Sequence, residues 1–89
     1  MITKNVTIIN RLGLHARAAT RLVNCASEFE AEVLLKKGQR SVNGKSIMGV
    51  LTLAAATGTE LTIETDGQDA KLAMVALIGL INNRFGEDE

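Results

Sequence analysis

His15 is the only histidine in a chain of 89 residues, and Arg17 stands two positions beyond it. A neutral imidazole nitrogen is a competent nucleophile near neutral pH, because the unperturbed pKa of the ring is about 6.5. The stretch Gly13-Leu14-His15-Ala16-Arg17 places this nucleophile at a glycine-bearing loop, just before apolar residues that recur at helical spacing. Unpaired N–H groups of a first helical turn, together with the positive end of the helix dipole, receive phosphate oxygens. Arg17 adds a fixed charge and a fork of donors that can follow a phosphoryl group while charge builds on its peripheral oxygens. The chemistry that suits these residues is phosphoryl transfer onto histidine, with Arg17 matching charge and not acting as a base. A plain surface or capping histidine is the competing reading, and spacing alone does not remove it.

A second cluster lies between Asn43 and Ala54. Ser46 can cap a helix, with Gly44 breaking the chain just upstream, although Gly49 at the third helical position leaves the capping box unfilled. From Ile47 to Ala54 only Gly49 and Thr52 are not apolar. One buried stripe cannot account for Ile47, Met48, Val50, Leu51, Leu53 and Ala54 together. Some of these side chains are therefore expected at the surface. There Ile47, Met48 and Leu51, with Arg17 and Thr20 as neighbours, would form a patch that docks successive partners beside His15.

Other reactive or charged residues carry less. Ten residues of helix, about 15 Å, separate Cys25 from His15, so the two make no nucleophile–base pair, and they supply no metal site. Neither a metal nor a cofactor is expected. Glu28, Glu30 and Glu32 read as a solvated run, and Glu87-Asp88-Glu89 as a disordered, solubilising tail with no part in the chemistry. Phe29 and Phe85 read as packing residues.

The elements that must position His15 follow from periodicity. Ile2, Val6 and Ile8 suggest an opening strand, and Arg11 to Leu14 a loop. From Ala16 the period changes, with Ala19, Leu22, Val23 and Ala26 on one helical face. Ala31, Val33 and Leu35 then alternate, and Gly38-Gln39 separates them from the run Arg40 to Asn43 as a hairpin. A short helix follows Ser46, and Glu60 to Thr65 alternates with Leu61 and Ile63 inward. After the Asp66-Gly67 turn, Gln68 or Asp69 starts a last helix carrying Ala73, Leu77, Leu80 and Ile81, with Gly86 as its stop signal. The order β-α-β-β-α-β-α predicts an α+β fold of the open-faced β-sandwich kind. It has a four-stranded, mainly antiparallel sheet with three helices on one face. Sheet order does not follow.

Composition limits the class of function. The length suits one domain, residues 1–89, and the 46% hydrophobic content includes only two aromatic residues, so the core must be aliphatic. Ten basic and ten acidic residues cancel, which argues against nucleic acid or an anionic membrane as partner. A ferredoxin-like nucleic-acid module would also need stacking aromatics and a basic face, and neither is apparent. The first 27 residues hold Lys4, Arg11, Arg17 and Arg21 but no acid, so the surroundings of His15 are expected to be positive. A single cysteine and no leader-like start fit a reducing cytoplasm. The longest apolar stretch, Leu72 to Ile81, falls short of the roughly 20 residues that span a bilayer, so no membrane insertion is expected.

The stretch Gly13 to Arg17 resembles the active-site signature of the HPr family, the histidine phosphocarriers of the bacterial phosphoenolpyruvate-dependent phosphotransferase system. Asn43-Gly44-Lys45-Ser46-Ile47-Met48-Gly49-Val50 resembles that family's second signature, and length and element order agree over essentially the whole chain. The resemblance implies that Enzyme I, drawing on phosphoenolpyruvate, phosphorylates His15 on Nδ1 and that the group passes to an EIIA domain. Arg17 then corresponds to the phosphate-binding arginine. The chain would be a monomeric carrier, a covalent intermediate of a relay and not a free-standing enzyme. Ser46 resembles the residue modified by HPr kinase/phosphorylase in part of the family. Many members have proline where this chain has Ala18, which makes the first turn less rigid, but alanine is a good helix former. The C-terminal ALIGLINNRFGEDE, with Ala18, also resembles the nitrogen-related branch, so the resemblance leaves sugar uptake and regulation both open.

Overall fold

Alternating side chains explain the sheet first. In the computed structural model, which describes Met1–Glu89, strands β1 (Ile2–Thr7), β2 (Glu32–Lys37), β3 (Arg40–Asn43) and β4 (Glu60–Asp66) form one antiparallel sheet in the order β1-β4-β2-β3. β4 is central because Leu61, Ile63 and Thr65 are all buried on one face. Its register sets Leu61 against Val6 and Ile63 against Leu35, which stacks aliphatic pairs across three strands. The other face is wet. There Lys36 pairs with Glu64 at 2.8 Å, and the Thr62 hydroxyl donates to Asn5 Oδ1 at 2.8 Å.

Three helices, α1 (Ala16–Ser27), α2 (Ile47–Thr52) and α3 (Ala70–Asn82), cover the apolar face. On α1 the buried residues Ala18, Ala19, Leu22, Val23 and Ala26 recur at helical spacing, while Arg17, Thr20, Arg21 and Asn24 stay exposed. α3 buries Ala73, Met74, Leu77 and Ile81 in the same way, with Leu80 only half-buried. These faces close on Ile8, Leu35, Leu61 and Ile63, all fully buried. The small side chains of α1 let the helix sit close to its neighbours, so a core almost without aromatics still packs. α1 lies against both α2 and α3, which fixes the helix relative to the other two.

α3 starts where the sequence places it, at Asp69, but ends earlier than expected. Asp69 occupies the N-cap position but does not cap the helix; its carboxylate instead accepts from the backbone N–H groups of Glu30 at 2.9 Å and Ala31 at 2.8 Å. Those donors, the Glu30 N–H foremost, hold the Asp69 carboxyl below the usual carboxylate range. The helix stops at Asn82, ahead of the expected signal at Gly86. Arg84, Phe85 and Gly86 follow with φ of 56°, 54° and 79°. Left-handed backbone costs a non-glycine residue about 1 kcal/mol or more, and here the Phe85 ring, 1% exposed, offsets it by entering the core. The Phe29 ring packs half-buried against Ala31, Ala70 and Ala73, in keeping with a packing role.

Candidate functional site

The loop ahead of α1 is held by a buried side chain. Asn10 is fully buried, and its amide donates to the Gly13 carbonyl at 2.8 Å. Gly13 has a φ of +70°, and a Cβ there would lie 2.6 Å from the Ala55 carbonyl oxygen and 2.9 Å from Ala56 Cα. Both conformation and space therefore require glycine. Gly13→Ala is expected to lower stability by about 2–3 kcal/mol in urea denaturation, summing left-handed strain and a backbone clash. A loss below about 0.5 kcal/mol would contradict the close approach seen here.

His15 emerges from this loop as the N-cap of α1, in extended conformation, and its carbonyl accepts from the Ala19 N–H at 2.8 Å. The ring itself does the capping. Nδ1 accepts from the backbone N–H of Arg17 at 3.3 Å, so this nitrogen faces the free N–H groups of the first helical turn. The side chain is 29% exposed, enough for a partner to reach. Arg17 is exposed and no acid of the fold pairs with it, which leaves its guanidinium free for an incoming anion. Ala18, directly behind, is fully buried in the helix.

The C-terminal segment corrects the expectation of a disordered tail and of an acid-free surround. After the turn at Phe85, Glu87 lies beside the His15 ring, at its Nε2 edge. One carboxylate oxygen contacts Nε2, and the other accepts from the Asn10 amide at 3.0 Å. Glu89 pairs with Arg11 at 2.6 Å, and the Arg21 guanidinium donates to the Phe85 carbonyl. The physical reason is burial: Phe85 anchors in the core and turns the last three residues back across the start of α1. Donation from Asn10, more than the His15 contact, holds the Glu87 carboxyl below the usual range, so it is ionised at neutral pH. An open depression of about 710 Å³ results, lined by Arg11, Leu12, His15, Arg17, Arg21 and Glu87 among others.

Around Ser46 the structure follows the sequence closely. Ser46 caps α2, its hydroxyl accepting from the Gly49 N–H at 3.1 Å. Ile47 and Met48 are 39% and 72% exposed, Leu51 is half-buried, and Val50 and Leu53 point into the core. Thr20 is exposed on α1, with its hydroxyl donating to the Ala16 carbonyl at 2.9 Å. Since α1 packs on α2, His15, Arg17 and Thr20 share neighbouring helices with Ile47 and Met48.

The sequence pattern marks neither Asn10 nor Leu12 as part of the site, and it assigns Glu87 to a tail. Leu12 is 67% exposed on the loop beside His15, and no periodic pattern marks it. Asn10 gave one local signal: a short amide side chain three residues before a glycine is suited to hold a turn. Cys25 is half-buried, and burial with the nearby Glu28 pushes its thiol up, away from reactive thiolate. No helix is long and apolar enough to cross a membrane.

Residues 2–83 match the family described as PTS-HPr, "PTS HPr component phosphorylation site". The chain is 52% identical over 89 residues to Phosphocarrier protein HPr of Cupriavidus necator, covering all of both chains. It is 53% identical over 89 residues to Phosphocarrier protein HPr of Neisseria meningitidis serogroup A, again over all of both. Among solved structures it is similar to an HPr from Thermoanaerobacter tengcongensis, at 37% identity and a TM-score of 0.96 over the whole of both chains.

Proposed function

The chain belongs to the HPr family of the phosphotransferase system, and from that premise we propose that His15 Nδ1 takes a phosphoryl group from Enzyme I and gives it to an EIIA domain. The observation that carries this reading is the ring's own capping contact. Nδ1 accepts the Arg17 N–H, so it bears a lone pair, and that lone pair is directed at the open first turn of α1. The Nδ1 lone pair forms the bond to phosphorus as the bond from phosphorus to the donor breaks. The Arg17 N–H then loses its nitrogen acceptor and, with adjacent N–H groups, turns to the phosphoryl oxygens. The unpaired Arg17 guanidinium approaches the same oxygens, where it matches their charge.

In this reading residues 1–89 are one domain that acts as a monomer in the cytoplasm. It is a carrier and not a catalyst, with no cofactor of its own, since the partners supply the activation of phosphoenolpyruvate. Ile47, Met48 and Leu51, with Thr20 and Arg17, form the surface on which both partners dock in turn. The test is incubation with Enzyme I, Mg²⁺ and phosphoenolpyruvate. An acid-labile, alkali-stable adduct that an EIIA domain then removes supports the reading, and its absence overturns it.

Ser46 is the proposed control point, through HPr kinase/phosphorylase. A phosphate there keeps the N-cap favourable for α2 but places close to two negative charges beside exposed Ile47 and Met48. Ser46→Asp should slow phosphorylation of His15 by Enzyme I roughly tenfold, the equivalent of about 1.4 kcal/mol of lost docking. Aspartate is itself a good N-cap, so folding is preserved and the rate reads docking. An unchanged rate would sink the idea.

A further inference from the structure

Resting on the carrier reading, we propose that Glu87 is a positioning residue for His15: its carboxylate holds the ring through Nε2–H and leaves Nδ1 as the nucleophile throughout the transfer cycle. The geometry assigns both ring nitrogens. An ionised carboxylate only accepts hydrogen bonds, so the nitrogen it contacts must carry the proton, and the Nδ1 that accepts from Arg17 must be bare. Two contacts from opposite sides of the ring therefore select one tautomer. They are unequal. The Arg17 N–H contact is long at 3.3 Å and ends once Nδ1 is bonded to phosphorus. From that moment the ring is held by Glu87.

The surroundings are built for this task. Glu87 is 13% exposed, and its second oxygen is fixed by the Asn10 amide at 3.0 Å. The same amide holds the Gly13 carbonyl at 2.8 Å. A single fully buried side chain thus ties the loop that delivers His15 to the acid that orients it. Phe85, two residues earlier, is anchored in the core and donates no freedom to the segment.

Charge accounting shows the use of such an acid. When the Nδ1 lone pair makes the bond to phosphorus, the electrons of the broken bond stay with the donor, and the proton on Nε2 stays where it is. The phosphorylated ring is then positively charged, and the Glu87 carboxylate lies against that charge. In the onward step the electrons of the N–P bond return to Nδ1, and the ring is neutral again with its proton still on Nε2. No proton has to be delivered or removed in either direction. A carboxylate that fixes the tautomer of a histidine and stabilises its cationic form does comparable work in serine hydrolases.

The test uses the full chain labelled with ¹⁵N, as wild type, Glu87→Gln, Glu87→Ala and Glu89→Gln, with backbone amide spectra to verify folding. In long-range ¹H–¹⁵N spectra of neutral His15, wild type and Glu89→Gln should show a proton on Nε2, shifted downfield and protected from exchange. Glu87→Gln should move that signal upfield, and Glu87→Ala should lose it to exchange. Initial rates of phosphorylation by Enzyme I should fall about tenfold in Glu87→Ala and less in Glu87→Gln. If Glu87→Ala keeps both the wild-type signal and the wild-type rate, or if the proton of wild type lies on Nδ1, the positioning role is overturned. If it loses the signal but keeps the rate, Glu87 orients the resting ring without serving transfer, and the proposal is likewise overturned. A wild type that accepts no phosphoryl group overturns the carrier reading itself, an outcome distinct from all of these.

Discussion

His15→Ala takes up no acid-labile phosphoryl group from Enzyme I and phosphoenolpyruvate, a loss of roughly 10³-fold or more bounded by detection, because no other side chain offers an equivalent nucleophile. It is the only histidine. The thiol of Cys25 is half-buried, and burial and Glu28 push it away from the thiolate form. The Ser46 hydroxyl is committed to capping α2, and a phosphoserine would resist acid where a phosphohistidine does not. The substitution should leave the fold in place. The ring is 29% exposed, and removing an N-cap costs about 0.5–2 kcal/mol, less than the several kcal/mol by which a domain of this size is stable. Measured side by side, phosphorylation should vanish while the urea midpoint shifts modestly. A His15→Ala protein that still gains an acid-labile adduct would remove the central claim.

Phe85→Ala should have the largest effect on stability, about 3–5 kcal/mol, through the lost ring burial and the cavity left behind. Against a total of about 5–10 kcal/mol for a chain of this length, that is enough to leave the protein marginal. Phe85 is 1% exposed and holds a left-handed φ of 54°. Its burial is thus what compensates the backbone for the turn at Arg84–Gly86. Alanine keeps the strain and loses the compensation. Denaturant unfolding of wild type, Phe85→Ala and Phe85→Leu checks this, with leucine expected to recover much of the loss. A Phe85→Ala cost below about 1 kcal/mol would show that the ring does not anchor the turn. The same variant should free the last residues, so the Nε2–H signal of His15 should weaken even where the protein remains folded.

These two residues mark how far the sequence could be read. His15 as the start of a helix, the inward face of α1, the alternation of β4, and the Ser46 cap with exposed Ile47 and Met48 were all legible. Each depends on neighbours two to four positions away, where side-chain period and capping chemistry act directly. The end of α3 differs, since Gly86 reads as a helix stop while Arg84 and Phe85 have already turned left-handed. Local propensity disfavours that conformation, and only a core able to accept the Phe85 ring makes it worthwhile.

By itself the sequence determined the lone histidine at a helix start, the helix that follows it, the arginine two positions on, the apolar surface near Ser46 and the family resemblance, because all of these are written in short contiguous stretches. Only the tertiary structure decided the sheet order β1-β4-β2-β3 and the company that His15 keeps. Glu87 reaches His15 across 72 residues of sequence and Asn10 across 77. Contacts at that separation come from how the core closes, not from local pattern. A terminal run of acids has the composition of a solvated tail wherever it lies, and here the burial of one phenylalanine lays its first carboxylate against the imidazole.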